Sequence, residues 1–297
     1  MNDAAVAQPI QPPRHAATMI VLREHEGEIQ VLMTHRHADL AFMGGMWVFP
    51  GGALAPADQS AAARDLVTID RCTFELRDVN GAPLPEATCI ALAIAACRET
   101  FEEAGVLLAR HHDGTAVHAS QLTRLRAERA ALAADPVQFI AALAREGLRL
   151  DIDRMLYWAH WITPSSVTRR FDTRFFLAPA PESQHLAADT YETTECVWMS
   201  PRALLDAASA GTMRLAQPTR YALEDVRVSI DSHHSLDALL RAESNREVAA
   251  IMPKLLEEHG RTSIVMPWDE RYASTPGEGV RPGQRYEPAV VAFTPSE

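Results

Sequence analysis

The chain reads as an α/β protein of the α+β kind, a mixed sheet with helices packed on it. Three observations lead there. Residues 18–22 and 29–33 are short apolar runs about a polar turn, which predicts a β-hairpin. Ile90, Ile94, Cys97 and Phe101 then recur at the spacing of one helix face. Later strand-like runs (155–163, 174–177 and 196–199) alternate with helical ones, so helices and strands must share one core.

Taken in order, residues 1–14 are Ala-, Gln- and Pro-rich without an apolar stretch, and read as a flexible tail rather than a signal peptide. Residues 47–49 form a further strand that ends at Pro50-Gly51-Gly52, where a missing Cβ lets backbone N–H groups approach a ligand. The following segment is partly loop-like, with a turn at Asn80-Gly81 and a small strand at 73–77. Residues 120–145 are Ala/Leu/Arg-rich and helical, broken at Asp135-Pro136, with Pro136 opening the second helix. Ser200-Pro201 caps and opens a helix through Ala208, and 217–223 form a short one. Residues 235–242 and 247–259 look helical, 261–265 a strand and 275–285 a loop. Pro267, Trp268 and Tyr272 serve a dimer surface, a substrate cover or simple packing.

A chain of 297 residues with 47% hydrophobic and 23% charged residues can bury a substantial core. The net charge of −11 argues against a nucleic-acid or anionic-membrane partner, since those need a basic footprint. A bound nucleotide must then be held by local arginines or a metal. Cys72, Cys89, Cys97 and Cys196 form no CxxC pair and suit reduced thiols in a cytoplasmic protein. No apolar run is long enough to span a bilayer. His35 and His37, His111 and His112, and His233 and His234 lack metal-ligand spacing and read as ordinary histidines.

The most informative residues are Glu99, Glu102 and Glu103, which fall in the last turn of the helix that Gly105 ends. Acidic groups there oppose the helix dipole and repel one another at i,i+3 and i,i+4. They lie nearly opposite the apolar stripe, so one face packs and the other presents oxygens. A cluster that opposes both effects calls for a cation. A hard divalent ion such as Mg²⁺ prefers carboxylate oxygens and is the natural candidate, with a solvated acidic face as the alternative.

Arg98-Glu99-Thr100-Phe101-Glu102-Glu103-Ala104-Gly105-Val106 resembles the second half of the Nudix box, with Thr100 where an aliphatic residue is usual. Val48-Phe49-Pro50-Gly51-Gly52 resembles the strand and turn that open it. The middle departs from the pattern: Ile90 stands where the family has a Glu, and Leu84 where it has its first Gly. Residues 53–87 therefore read as an insertion within the box, with Glu86 as a candidate for the displaced Glu. A box split in this way is similar to the Nudix-motif-19-like branch, which is associated with hydrolysis of coenzyme A and its thioesters. His35-Arg36, Gly44-Gly45-Met46-Trp47, His160-Trp161 and Arg169-Arg170-Phe171 add to that likeness.

The resemblance implies an α/β/α sandwich over residues 15–223, with a helical insertion at about 119–150 and a C-terminal extension at 224–297 packed on it. It implies Mg²⁺, with Mn²⁺ as a substitute, held by Glu99, Glu102 and Glu103. It gives Arg98 a carboxylate-orienting role and Gly51 and Gly52 backbone contacts, and leaves the general base open between Glu192 and Glu195. Arg36, Arg170 and Arg174 are candidate phosphate ligands or salt-bridge formers. The implied reaction is hydrolysis of a diphosphate bond in a small nucleotide-type substrate. Coenzyme A or acyl-CoA would give 3′,5′-ADP and a 4′-phosphopantetheine product. Another substrate such as NADH, a nucleotide sugar or a dinucleotide, or a non-catalytic nucleotide-binding module, stays open. A homodimer is a family expectation.

Overall fold

The computed structural model describes residues 11–67, 74–182, 184–189, 191–233 and 235–280. The hairpin expected at the start is present as β1 (Arg14–His25) and β2 (Glu28–Arg36). Its two-residue turn, Glu26-Gly27, takes positive φ at both positions, the geometry that matches strand twist. Short strands β3 (Trp47–Val48) and β4 (Gly51–Ala53) follow. The insertion then contributes a 3₁₀ turn (Pro56–Gln59) and α1 (Ala61–Arg64) before α2 (Glu86–Ala104). Of the strand expected at 73–77, Thr73 lies outside the described residues, and the rest shows an isolated bridge from Arg77 to Pro83 around the Asn80-Gly81 turn.

Next come β5 (Ala109–His111), α3 (Ala119–Ala134), α4 (Pro136–Glu146) and β6 (Leu148–Leu150). Asp135 caps α4 by accepting from the Val137 N–H, and Pro136 stands at its first position as expected. Strands β7 (Leu156–Ile162), β8 (Phe171–Pro179) and β9 (Thr193–Met199) are followed by α5 (Pro201–Ser209) and α6 (Gln217–Ser232). The chain continues through α7 (Leu236–Ala242), β10 (Ala250–Ile251), β11 (Lys254–Glu258) and β12 (Arg261–Val265).

Among the described residues, one eight-stranded mixed sheet runs in the order β10-β7-β8-β1-β2-β3, with β4 paired to β1 and β9 to β2. β1 lies parallel to β8 and β10 parallel to β7; the remaining pairs are antiparallel. Strand alternation sends Ala17, Met19 and Val21 of β1 to the side of α2, α3 and α4. Ile20 and Leu22 face the other way, toward α5, α6 and α7. The result is the three-layer sandwich that the sequence predicts.

Helix α6 runs across residues 223 and 224; its Leu223 and Val226 pack in the same core as Leu236, Ile251 and Met266, and β10 joins the main sheet. One expectation is corrected: residues 247–259 hold the short strands β10 and β11 rather than a helix. Pro253 removes a backbone donor there, and β11 pairs with β12 across His259-Gly260, both at positive φ. Trp268 and Tyr272 pack rather than project: Trp268 meets Tyr221 edge-on, and the Tyr272 hydroxyl donates to the Met252 carbonyl. Among the described residues no helix is long and apolar enough to cross a membrane. The described cysteines, Cys89, Cys97 and Cys196, form no disulfide with one another; Cys72 lies outside the described residues.

Candidate active site

Helix α2 is buried along most of its length, and Gly105 ends it at φ 67°. Its acidic turn is accordingly not a solvated face. Glu102 and Glu103 are both buried, and Glu99 is largely so. Thr100, the departure from the box pattern, is fully buried and satisfies its hydroxyl on the Ala96 carbonyl at 2.7 Å.

Arg98 organises this turn. It is 3% exposed, and its Nη1 donates to Glu99 Oε1 and Glu102 Oε2, both at 2.8 Å. Its other edge makes a two-pronged contact with Asp58, Nε to Oδ1 at 2.9 Å and Nη2 to Oδ2 at 3.0 Å. Burial alone would weaken the guanidinium's hold on its proton; Asp58, Glu99 and Glu102 reverse that and raise its pKa. Asp58 comes from the box insertion and was missed by sequence reasoning. It is buried in the 3₁₀ turn and accepts from the Ala55 N–H at 2.8 Å. Its only sequence signal is an acid two residues after Pro56, a common turn pattern that carries no chemistry by itself. Glu86, the expected substitute for the displaced Glu, is instead exposed in the first turn of α2, at the far end of the helix. Ile90 is a core residue.

The glycine turn closes on the same carboxylates. β4 is held in the sheet by β1, with Gly51 opposite Thr18 and Gly52 opposite Ala17. The Gly51 N–H donates to Glu103 Oε2 at 3.4 Å, and a Cβ on Gly52 would stand 2.4 Å from Glu99 Oε1. Arg36, at the end of β2, places Nη1 3.5 Å from Glu103 Oε1 and Nη2 3.9 Å from Glu192 Oε2.

Electrostatically the turn is primed for a cation. Burial, then the charge of Glu99, lifts the Glu103 carboxyl well above the usual carboxylate range. Burial pushes Glu102 up to about 8 against the pull of Arg98, and Glu99 is also raised by burial. Glu102 Oε1 is buried with no hydrogen-bond partner. This donor set, hard oxygens that resist ionisation in isolation, fits a hard divalent ion. The oxygens do not yet converge: among the described residues no three His, Cys, Asp or Glu side chains are arranged to hold a metal. Arg98, Arg36 and the Gly51 N–H occupy them, so ion binding requires these side chains to rotate.

The two base candidates separate. Glu192 lines the cavity beside Glu99, with its side chain 58% exposed. Glu195 sits on β9, where alternation places it with Val197 and Met199 on the face opposite α2, while Cys196 bonds the Glu103 carbonyl. Glu192 is held by Asp189, whose Oδ1 accepts from the Glu192 and Thr193 N–H groups at 2.8 and 3.0 Å. The Thr193 hydroxyl donates to the Glu103 carbonyl at 3.0 Å. Arg126 of α3 donates to the Gly105 and His185 carbonyls, and Arg129 to those of Ala187 and Ala188. The helical insertion therefore ties the end of α2 to the loop that presents Glu192.

Two of the three candidate arginines lie outside the cavity lining. Arg174 is fully buried and binds Asp172 at 2.6 Å and the Arg77 carbonyl at 2.8 Å. Arg170 is buried and spends its guanidinium on the Thr163 and Gln11 carbonyls and on Glu278. Both are structural ties. Of the histidine pairs, His35 stacks on Trp47 and His111 bonds Gln121, while His234 lies outside the described residues.

A cavity of about 530 Å³ opens over the acidic turn, with Glu99, Gly52, Arg36 and Glu192 at one part of its lining. The rest is largely apolar and aromatic, including Phe42, Trp161, Phe171 and Phe175. Pro253 and Ile264 add a wall from the C-terminal strands. Such a chamber takes a ligand with a charged centre and a larger, less polar body.

The sequence matches the NUDT19 Nudix domain over residues 4–226. It is 29% identical over 286 residues to an acyl-coenzyme A diphosphatase NUDT19 of Gallus gallus, covering 84% of this chain and 74% of that protein. It is 31% identical over 222 residues to the Homo sapiens protein of the same name, covering 65% of this chain and 59% of that one. The chain thus spans less than two thirds of the human relative's length. A NUDIX hydrolase from Alicyclobacillus acidocaldarius superposes with a TM-score of 0.64 at 26% identity, over 78% of this chain and 97% of that one. A match over most of the chain, a shared fold, and a glycine turn closed on the acidic end of α2 agree: this chain belongs to the NUDT19 family of Nudix hydrolases.

Proposed function

We propose that this protein is a Mg²⁺-dependent diphosphatase of coenzyme A or acyl-coenzyme A, releasing 3′,5′-ADP and 4′-phosphopantetheine or its acyl derivative. The observation that carries the reading is the cavity, which joins buried carboxylates to an extended apolar lining. The names of the chicken and human relatives support the substrate.

Glu99, Glu102 and Glu103 would hold the metal, with Mn²⁺ able to replace Mg²⁺. A bound divalent ion polarises a phosphoryl oxygen and lowers the pKa of water. Glu192 accepts the proton of the attacking water. The water oxygen bonds to one phosphorus, and the bridging oxygen leaves on the other. Arg36 lies between Glu103 and Glu192 and fixes their separation. The Gly51 N–H steadies Glu103, and Gly52 gives Glu99 the room it occupies. Asp58 holds Arg98, and Arg98 aims Glu99 and Glu102. The reading extends to a cytoplasmic homodimer without nucleic-acid or membrane partners, the last supported by the net charge of −11.

The test is purified protein with Mg²⁺ against CoA, an acyl-CoA, NADH, ADP-ribose and a diadenosine polyphosphate, read by chromatography of products. Release of 3′,5′-ADP is expected. Its absence, with turnover of another compound, would move the protein to a different Nudix substrate.

A further inference from the structure

Among the described residues two cations line the cavity, Arg36 and Arg169. Arg36 is committed to Glu103 and Glu192. Arg169 has no carboxylate within ion-pair distance among the described residues, in a chain with eleven more acidic than basic groups. Its guanidinium rests instead against two aromatic rings, 5.8 Å from the centre of Phe42 and 5.3 Å from that of Phe171. The two rings contact each other at 5.2 Å.

The backbone beneath is fixed. Arg170 is buried and bonded on both sides, and the Phe171 N–H donates to the Thr163 hydroxyl at 3.0 Å. An exposed guanidinium held by aromatic faces loses little freedom when it takes an oxyanion, and its planar fork suits a phosphate.

A diphosphate alone would be met at the acidic turn. A second, separate anion on the same ligand would need its own cation, and among the described residues of the lining Arg169 is the one left. We infer that Arg169, seated on Phe42 and Phe171, binds a phosphomonoester of the substrate distinct from the bond that is cut: the phosphate on the ribose 3′ oxygen of CoA. This inference rests on the CoA reading above. NADH, ADP-ribose and 3′-dephospho-CoA lack that group, so Arg169 would be the residue that separates CoA from them.

The experiment compares wild type, Arg169→Gln and Arg169→Lys on CoA and on 3′-dephospho-CoA, with thermal melts to confirm folding. For CoA, Arg169→Gln is expected to raise KM by about 10- to 100-fold with kcat little changed. For dephospho-CoA it should change neither constant by more than about twofold, and Arg169→Lys should fall between. An equal loss on both substrates, or no loss on either, would overturn the inference. A parallel arm measures inhibition by 3′,5′-ADP and by 5′-AMP against whichever diphosphate the protein cleaves best. If CoA is not cleaved but 3′,5′-ADP still binds more tightly than 5′-AMP only when Arg169 is present, the substrate proposal fails and the anion site stands. Equal binding of the two nucleotides by wild type would remove the site as well.

Discussion

Arg98 lies flat against Asp58, edge to edge, at 2.9 and 3.0 Å, and both side chains are almost wholly shielded from water. The contact joins the inserted segment to the acidic turn. Removing one member of a buried pair strands the other charge. Asp58→Ala is therefore expected to cost about 3–5 kcal/mol in urea unfolding. Asp58→Asn, which keeps part of the hydrogen bonding, should cost less and still lower kcat by loosening Glu99 and Glu102. Glu86→Gln should change stability by no more than about 0.5 kcal/mol. If Glu86→Gln proved the more damaging, the pairing assigned to Asp58 would be wrong.

The adjacent glycines should fail in different ways. A Cβ on Gly51 would meet the Ala17 carbonyl oxygen at 2.6 Å and the Thr18 Cα at 2.8 Å, both backbone. Gly51→Ala is expected to lower stability by about 1–3 kcal/mol. On Gly52 the obstacle is the Glu99 carboxylate, which can swing aside. Gly52→Ala should keep a near wild-type melting temperature and lose at least about tenfold in kcat. Identical melting losses for the two variants would contradict this geometry.

Glu192 and Glu195 lie three residues apart, Glu192 in the cavity lining and Glu195 outside it on β9. Glu192→Gln should lower kcat by about 10²- to 10⁴-fold, the usual worth of a general base, with the CD spectrum unchanged. Glu195→Gln should stay within about twofold. The reverse ranking would transfer the base to β9.

Metal binding should expel protons. Glu102 titrates near 8 and Glu103 is raised well above its ordinary value, yet a metal takes only the ionised form. Mg²⁺ affinity should therefore rise as pH is raised through about 8. Calorimetry in two buffers of different ionisation enthalpy should show net proton release. Glu103→Gln should shrink that release and abolish turnover while the fold remains. Buffer-independent heats would contradict these protonation states.

Acid should unfold the sheet through one cluster. Burial of Asp172 disfavours its charge, but hydrogen bonds with His15 and His160 and the nearby Arg174 outweigh that and hold it well below the usual range. Its contribution is present above the unfolded value near 4 and is lost as pH falls. Burial lowers the His160 pKa, so its unfolded form takes a proton first, below about 6.5, and this too costs stability on acidification. Unfolding free energy should decline steadily from about pH 6.5 to 3, and His160→Gln should flatten the upper part. A flat profile from pH 7 to 4 would exclude the cluster as the cause.

Much of the site was legible because its chemistry is local in sequence. Glu99, Glu102, Glu103 and Gly105 belong to one turn, and the dipole and charge arguments act within that turn. The hairpin, Pro136 and the Ser200 cap were legible for the same reason. Asp58 was not, since its partner is forty residues away and is joined only by tertiary contact. Arg170 and Arg169 differ only in which one the anchored loop turns inward, and periodicity does not report that. Residues 247–259 hold enough Leu and Glu to suggest a helix; pairing with β12 decided otherwise.

Pro253 and Ile264 stand in the cavity wall, yet the family match ends at residue 226. Part of the cavity wall therefore comes from a stretch of chain beyond the matched domain, while the acidic turn lies within it. Two proteins alike through residue 226 and unlike beyond it would share a reaction and differ in the cargo they admit. Exchange of the β11–β12 hairpin between such relatives is a direct way to move selectivity without touching a single acidic residue of α2.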